Sequence, residues 1–230
     1  MSKQMPKVES KLRHIVSVPE CIYDVSGINI NGKRIKSLVF STDVAVIANC
    51  NADAVIAVYP FTPTLQITKS IIEVAQKPVF AGVGGGTTSG PRVHKIAFDA
   101  ELNGATAVVL NAPTKTKFVQ DLAKIIDIPI VLTIVSLDEP LEERMLHSGA
   151  SIVNVSGGKN TVEIIKALRR IDKNFPIIAT GGPTEETIKA VIEAGANAVT
   201  YTPPTNGEIF KDMMERYRIQ CSHQEEIALK

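Results

Sequence analysis

Three short stretches combine bare backbone with hydroxyl or charged side chains: GGGTTSGPR (84–92), SGGKNT (156–161) and TGGPTEE (180–186). Each follows an apolar run and opens an amphipathic one. A glycine tip at such a junction leaves main-chain N–H groups unpaired at a helix start, where the helix dipole also favours negative charge. The chemistry this predicts is capture of a phosphate or carboxylate. In the first stretch Gly84, Gly85 and Gly86 would supply backbone donors, Thr87, Thr88 and Ser89 hydroxyls, and Arg92 the charge. In the other two, Gly157 and Gly158 would face Gly181 and Gly182 across neighbouring strand ends, with Lys159 as counter-charge. Turn formation accounts for the first set of glycines equally well, and helix capping for Thr161 and Thr184. The first stretch lacks the lysine of a P-loop and completes no dinucleotide fingerprint.

Groups able to move a proton are fewer. Asp43 follows an apolar run, and His94 opens the segment after the first glycine stretch. These two are the candidate catalytic residues. Asp43 in STD (41–43) also reads as a helix start, as does Asp138 beside Glu139. No apolar run contains a lysine for Schiff-base chemistry, and Lys115 and Lys159 lie in loops. No His, Asp, Glu or Cys set has metal-ligand spacing. What remains is a polar, uncharged rim in which Tyr59, Asn111, Asn154 and Thr180 are the candidate substrate contacts, together with Thr62, Thr133, Ser136, Ser156 and Thr202.

The elements that hold these residues announce themselves by repetition. LNGATAVVLNAP, HSGASIVNVSGG and EAGANAVTYTPP echo one another, with Gly104, Gly149 and Gly195 spaced 45 and 46 apart. A second series, KPVFAGVGGG, IPIVLTIVS and FPIIATGG, interleaves with the first, with Pro78, Pro129 and Pro176 spaced 51 and 47 apart. Glycine before an apolar run is a helix C-cap, where a left-handed backbone carries no Cβ penalty. Proline before a strand stops the preceding helix. The runs are short, β-branched and not alternating, as parallel strands covered on both faces require. Eight are counted, at 37–41, 54–60, 78–83, 105–111, 129–133, 151–155, 176–180 and 198–202, each followed by a helix candidate. The prediction is α/β: a single (β/α)8 TIM barrel over 37–218 with an N-terminal β-hairpin extension. Residues 1–36 form that extension, turning at Asn31-Gly32 and plugging the N-terminal end of the barrel. Residues 219–230 form a polar tail with weak helical character.

The stretch PIIATGGPTEETIKAVIEAGANAVTYT (176–202) resembles the phosphate-binding, ribulose-phosphate-type (β/α)8 barrels. That group includes ribulose-phosphate epimerases, indole-glycerol-phosphate synthases, aldolases and FMN-dependent oxidoreductases. The resemblance implies a phosphate site at Gly181 and Gly182, shared with the loop after the eighth strand. There the chain departs from the pattern: TPPTNGE (202–208) places Pro203 and Pro204, which have no N–H to donate, where a Gly-Ser or Gly-Thr tip is usual.

The chain has 230 residues and a net charge of +1, with no Trp, so neither a nucleic acid nor a membrane surface is expected as a partner. Three scattered cysteines and no apolar run of membrane-spanning length suit a cytoplasmic protein. The expected function is a lyase, aldolase or isomerase acting on a small phosphorylated or carboxylated metabolite, with no cofactor. A metabolite-sensing barrel without catalysis and an FMN-dependent oxidoreductase remain open. Homo-oligomerisation through the hairpin or the 202–208 loop is a further expectation.

Overall fold

The computed structural model describes Val8 and residues 16–228. Eight parallel strands close into a barrel: β3 (Ser37–Phe40), β4 (Ala54–Ala57), β5 (Val79–Gly84), β6 (Ala107–Leu110), β7 (Ile130–Ile134), β8 (Ile152–Val155), β9 (Ile177–Thr180) and β10 (Ala198–Tyr201). Closure is made where β10 pairs with β3, Thr200 lying opposite Leu38. The predicted fold is therefore present.

Side chains alternate along each strand. Leu38, Ile56, Phe80, Val109, Val131, Ile152 and Ile178 pack inside the barrel. Val39, Val55, Val108, Leu132, Val153 and Val199 face the surrounding helices. All five residues of β7 are buried, as expected for a strand with both faces covered. The helices are α1 (Val44–Ala48), α2 (Leu65–Ala75), α3 (Pro91–Leu102), α4 (Thr116–Leu122), α5 (Thr161–Ile171), α6 (Glu185–Glu193) and α7 (Asn206–Ala228). Gly104, Gly149 and Gly195 have φ of 91°, 85° and 109°, the left-handed caps that the repeat implied.

The hairpin of β1 (Ile28–Ile30) and β2 (Lys33–Ile35) turns at Asn31 and Gly32, with φ of 50° and 81°. Positive φ at both central residues is the turn that matches strand twist. Ile28, Ile30 and Ile35 are buried against Leu38, Ala54, Ala107, Ile152 and Ala198, which lie at or near the strand starts. The hairpin thus stoppers the N-terminal end of the barrel, each isoleucine contributing about 2 kcal/mol of apolar burial.

Two elements differ from expectation. After β7 the helix is short and irregular, α-helical at 141–142 and π-helical over Glu143–His147. Ser148 Oγ donates to the Arg144 carbonyl and the left-handed Gly149 follows, so the turn closes early. At the C-terminus α7 runs unbroken across position 219, where the tail was expected to begin. No helix among the described residues is long and apolar enough to cross a membrane.

Candidate functional site

The C-terminal mouth of the barrel is a cavity lined by Phe40, Ile56, Val58, Asn111, Thr133, Asn154, Ser156, Thr180, Thr200 and Thr202. Strand alternation puts Asn154 inside because it lies two residues after Ile152, and Thr200 because it follows Ala198 by two. The ladder sets Thr133 beside Asn154 and Thr180 beside Thr200. Asn154 Nδ2 lies 3.5 Å from Thr133 Oγ1, at the limit of a hydrogen bond. The residue is 8% exposed, and its Oδ1 has no partner. The lining has no ionisable side chain. Three of the four predicted substrate contacts, Asn111, Asn154 and Thr180, meet here. Tyr59 lies one opening away, beside Gly82, Gly84 and Asn111, where its hydroxyl accepts from the Thr64 N–H at 2.9 Å. Thr200 escaped the sequence reading; inward alternation was the signal that could have found it.

A groove adjoins the mouth between the tips after β8 and β9. Ser156 and Thr180 line both spaces, and Gly158, Lys159, Thr161, Gly181 and Gly182 line the groove. The four predicted anion-binding glycines divide into two kinds. Gly157 donates its N–H to Thr161 Oγ1 at 3.1 Å, and a Cβ there would lie 2.4 Å from Ile164 Cδ1. Gly181 donates to the Thr200 carbonyl at 3.4 Å, and a Cβ would lie 2.6 Å from Val199 Cγ1. Both are glycine because the backbone passes close to a neighbour. Gly158 and Gly182, with φ of 57° and 77°, form the left-handed tips on the groove itself. Thr184 completes a capping box with Thr187 at the start of α6.

The 84–92 loop is folded on itself. Gly85 donates to the Thr88 carbonyl at 2.8 Å, and the Gly84 carbonyl accepts from Asn111 at 2.8 Å. A Cβ on Gly85 would fall 2.2 Å from Thr114 Oγ1. Gly84 and Gly85 therefore hold two loops together, while Gly86 and Arg92 are exposed. Asp43 Oδ1 accepts from Ala45 and Val46 at 2.9 and 3.2 Å, as the cap of α1. His94 stacks on Phe118 with ring centroids 4.4 Å apart, between α3 and α4, and its Nε2 is buried without a partner. Neither Asp43 nor His94 lines the mouth.

Glu139 is a structural anchor. Its Oε1 accepts from Val135 and Ser136 at 2.7 and 3.1 Å, and its Oε2 faces Arg144. Arg144, 5% exposed, donates to the carbonyls of Thr114 and Thr133 at 2.7 and 3.1 Å. It thereby joins the loop after β6 to the end of β7. The opening between β9 and β10 is lined by Glu185, Glu208, Asp212, Pro203 and Pro204.

No protein-family model matches the chain, and no curated protein matches it in sequence. Solved structures do resemble it in fold. Citrate synthase SbnG superposes with a TM-score of 0.64 at 10% identity, over 85% of this chain and 96% of that one. Phosphonopyruvate hydrolase in complex with oxalate and Mg2+ gives 0.59 at 12%, over 86% and 84%. A 3-hexulose-6-phosphate synthase gives 0.54 at 18%, over 72% and 89%. At these identities the likeness is one of fold: the chain is a (β/α)8 barrel.

The residues present do not fit a magnesium site like those built on carboxylates, since the mouth lining offers none. No three His, Cys, Asp or Glu side chains gather at one point among the described residues. Nor does the β9–β10 opening fit the phosphate of a flavin, because carboxylates and two prolines line it.

Proposed function

We propose that the mouth takes a small metabolite bearing one phosphate or carboxylate, and that the protein acts on it as an aldolase-type lyase or an isomerase. The observation that carries this reading is Asn154 Oδ1, a buried acceptor without a partner at the wall of a polar cavity. A hydroxyl or amine of a bound molecule satisfies it. The anion sits in the adjoining groove, at Gly158, Gly182 and Lys159. Binding energy gathered there positions the reacting carbon in the mouth. The Thr133 hydroxyl, an acceptor from Asn154 Nδ2, keeps its O–H to polarise a carbonyl, whereas the Thr200 hydroxyl donates to the Ala179 carbonyl at 3.4 Å. Lys159 is the ionisable side chain on the groove that shares Ser156 and Thr180 with the mouth. The structural neighbours named above are enzymes of small anionic compounds by name, which supports the class without fixing the substrate. The free thiols of Cys21, Cys50 and Cys221 suit a cytoplasmic setting.

One observation favours a second reading, a sensing barrel without catalysis: no ionisable side chain lines the mouth itself. Calorimetry against a panel of phosphorylated and carboxylated metabolites, followed by product analysis, separates the two. Heat with product supports the enzyme, heat without product supports the sensor, and absence of heat across the panel overturns both.

A further inference from the structure

Beside the mouth lies a second opening, between the loop after β4 and the end of β5, and Val58 and Asn111 line both spaces. One wall is formed by Val58, Tyr59, Pro60, Phe61 and Pro63, and bare backbone at Gly82, Gly84 and Gly86 contributes another. No charged side chain lines it. Phe61 is 73% exposed, an apolar ring left open at the rim of a concave space.

The walls are held by the protein's own bonds. The Tyr59 hydroxyl accepts from the Thr64 N–H at 2.9 Å, which closes the 59–64 loop. Thr88, buried, donates its hydroxyl to Thr62 Oγ1 at 3.3 Å and ties that loop to the one after β5. The slot is thus formed before a ligand arrives.

Its place in the ring gives it meaning. The closed strand order sets β4 four strands from β8, and β5 four strands from β9, so the two pairs face each other across the barrel. The groove with Gly158 and Lys159 lies beyond β8 and β9, and the apolar opening beyond β4 and β5. The mouth encloses about 210 Å³ and the apolar opening about 230 Å³, each short of the roughly 300 Å³ at which small-molecule sites begin. Joined at Val58 and Asn111, the two spaces reach that range.

We infer that the metabolite spans the mouth, with its phosphate or carboxylate in the groove by Lys159 and a flat apolar group, such as an aromatic ring, in the slot between Phe61 and the glycine backbone of 82–86. This inference rests on the mouth and groove being the binding site, and it names the class of molecule they take: an anion whose far end is apolar. Stacking on Phe61 and burial against Val58 and Pro60 recognise that end.

Calorimetry with two matched pairs tests it: phenyl against methyl 6-phospho-β-glucoside, and phenyl against methyl 5-phospho-β-riboside. The phenyl member of at least one pair binds about tenfold more tightly, the scale of burying part of an aromatic ring. Its heat-capacity change is the more negative, and added salt leaves the ratio as it is. Phe61→Ala, at a side chain exposed enough to be dispensable for folding, removes most of that ratio, whereas Phe98→Ala, at an exposed position of α3, leaves it. Equal affinity within both pairs, or a ratio that Phe61→Ala leaves unchanged, overturns the apolar end and leaves the anion site standing. Binding by none of the four overturns the anion site and the inference with it.

Discussion

Arg144 and Glu139 form a largely buried ion pair beside the end of β7, Nε to Oε2 at 2.7 Å, with side chains 6% and 17% exposed. The Nε–H does not point along this line, so the contact is electrostatic rather than a directed hydrogen bond. The other guanidinium nitrogens hold the Thr114 and Thr133 carbonyls. Arg144→Met strands the carboxylate and two carbonyls in a dry site, at a cost of about 3–5 kcal/mol. Urea unfolding reads this directly, and a loss under about 1 kcal/mol would show that the pair is not structural.

Asn154→Leu separates stability from binding. The substitution removes a buried oxygen that has no partner within the protein, so the midpoint of thermal unfolding holds or rises. Ligand affinity falls by about tenfold, the scale of one lost hydrogen bond to an uncharged group. A variant that loses stability while binding as before refutes the role assigned to this amide. Differential scanning fluorimetry and calorimetry on one preparation give both readings.

Adjacent glycines in the 84–92 loop answer differently to alanine. At Gly85 the φ is +107°, and the new Cβ would lie 2.2 Å from Thr114 Oγ1 and 2.4 Å from the Asn111 carbonyl. Gly85→Ala therefore costs about 3 kcal/mol or more from overpacking and strain. At Gly86 the nearest atom is 3.6 Å away and φ is not left-handed. Gly86→Ala stabilises by about 0.5 kcal/mol through the unfolded chain. Equal effects at the two positions would contradict the packing role of Gly85.

Burial pushes the Cys50 thiol up, and likewise the phenols of Tyr23 and Tyr201. A folded-state value raised above the unfolded one gives stability that is complete below the unfolded value, about 8.5 for a thiol, and is lost as pH rises past it. The urea midpoint at pH 10 is therefore lower than at pH 8, and Cys50→Ala reduces the difference. A midpoint that climbs with pH over this interval would reverse the sign of the linkage.

The architecture was legible because each of its signals has a single physical meaning. Gly104, Gly149 and Gly195 cap helices, and Pro78, Pro129 and Pro176 immediately precede β5, β7 and β9. Asn31-Gly32 folds the hairpin. The site was harder to read, because glycine before a helix serves two ends. Gly158 forms an open left-handed tip and Gly182 a left-handed tip packed on Thr187, whereas Gly157 and Gly181 let the backbone pass close to Ile164 and Val199. Only the fold tells these apart. Arg144 was not singled out from the sequence, since nothing local marks a guanidinium for burial. His94 lies near the first glycine tip in sequence, yet its ring turns to Phe118. Asn154 and Thr180 both line the mouth, each lying two residues after an inward-facing isoleucine, Ile152 and Ile178.

The central claim is that negative charge is held between Gly158 and Gly182, and an anomalous difference map from crystals soaked with tungstate tests it most directly. The account predicts the strongest peak in that groove, within reach of Lys159. A peak confined to Gly86 and Arg92, or to the opening lined by Glu185 and Asp212, or no peak at any glycine tip, would contradict it.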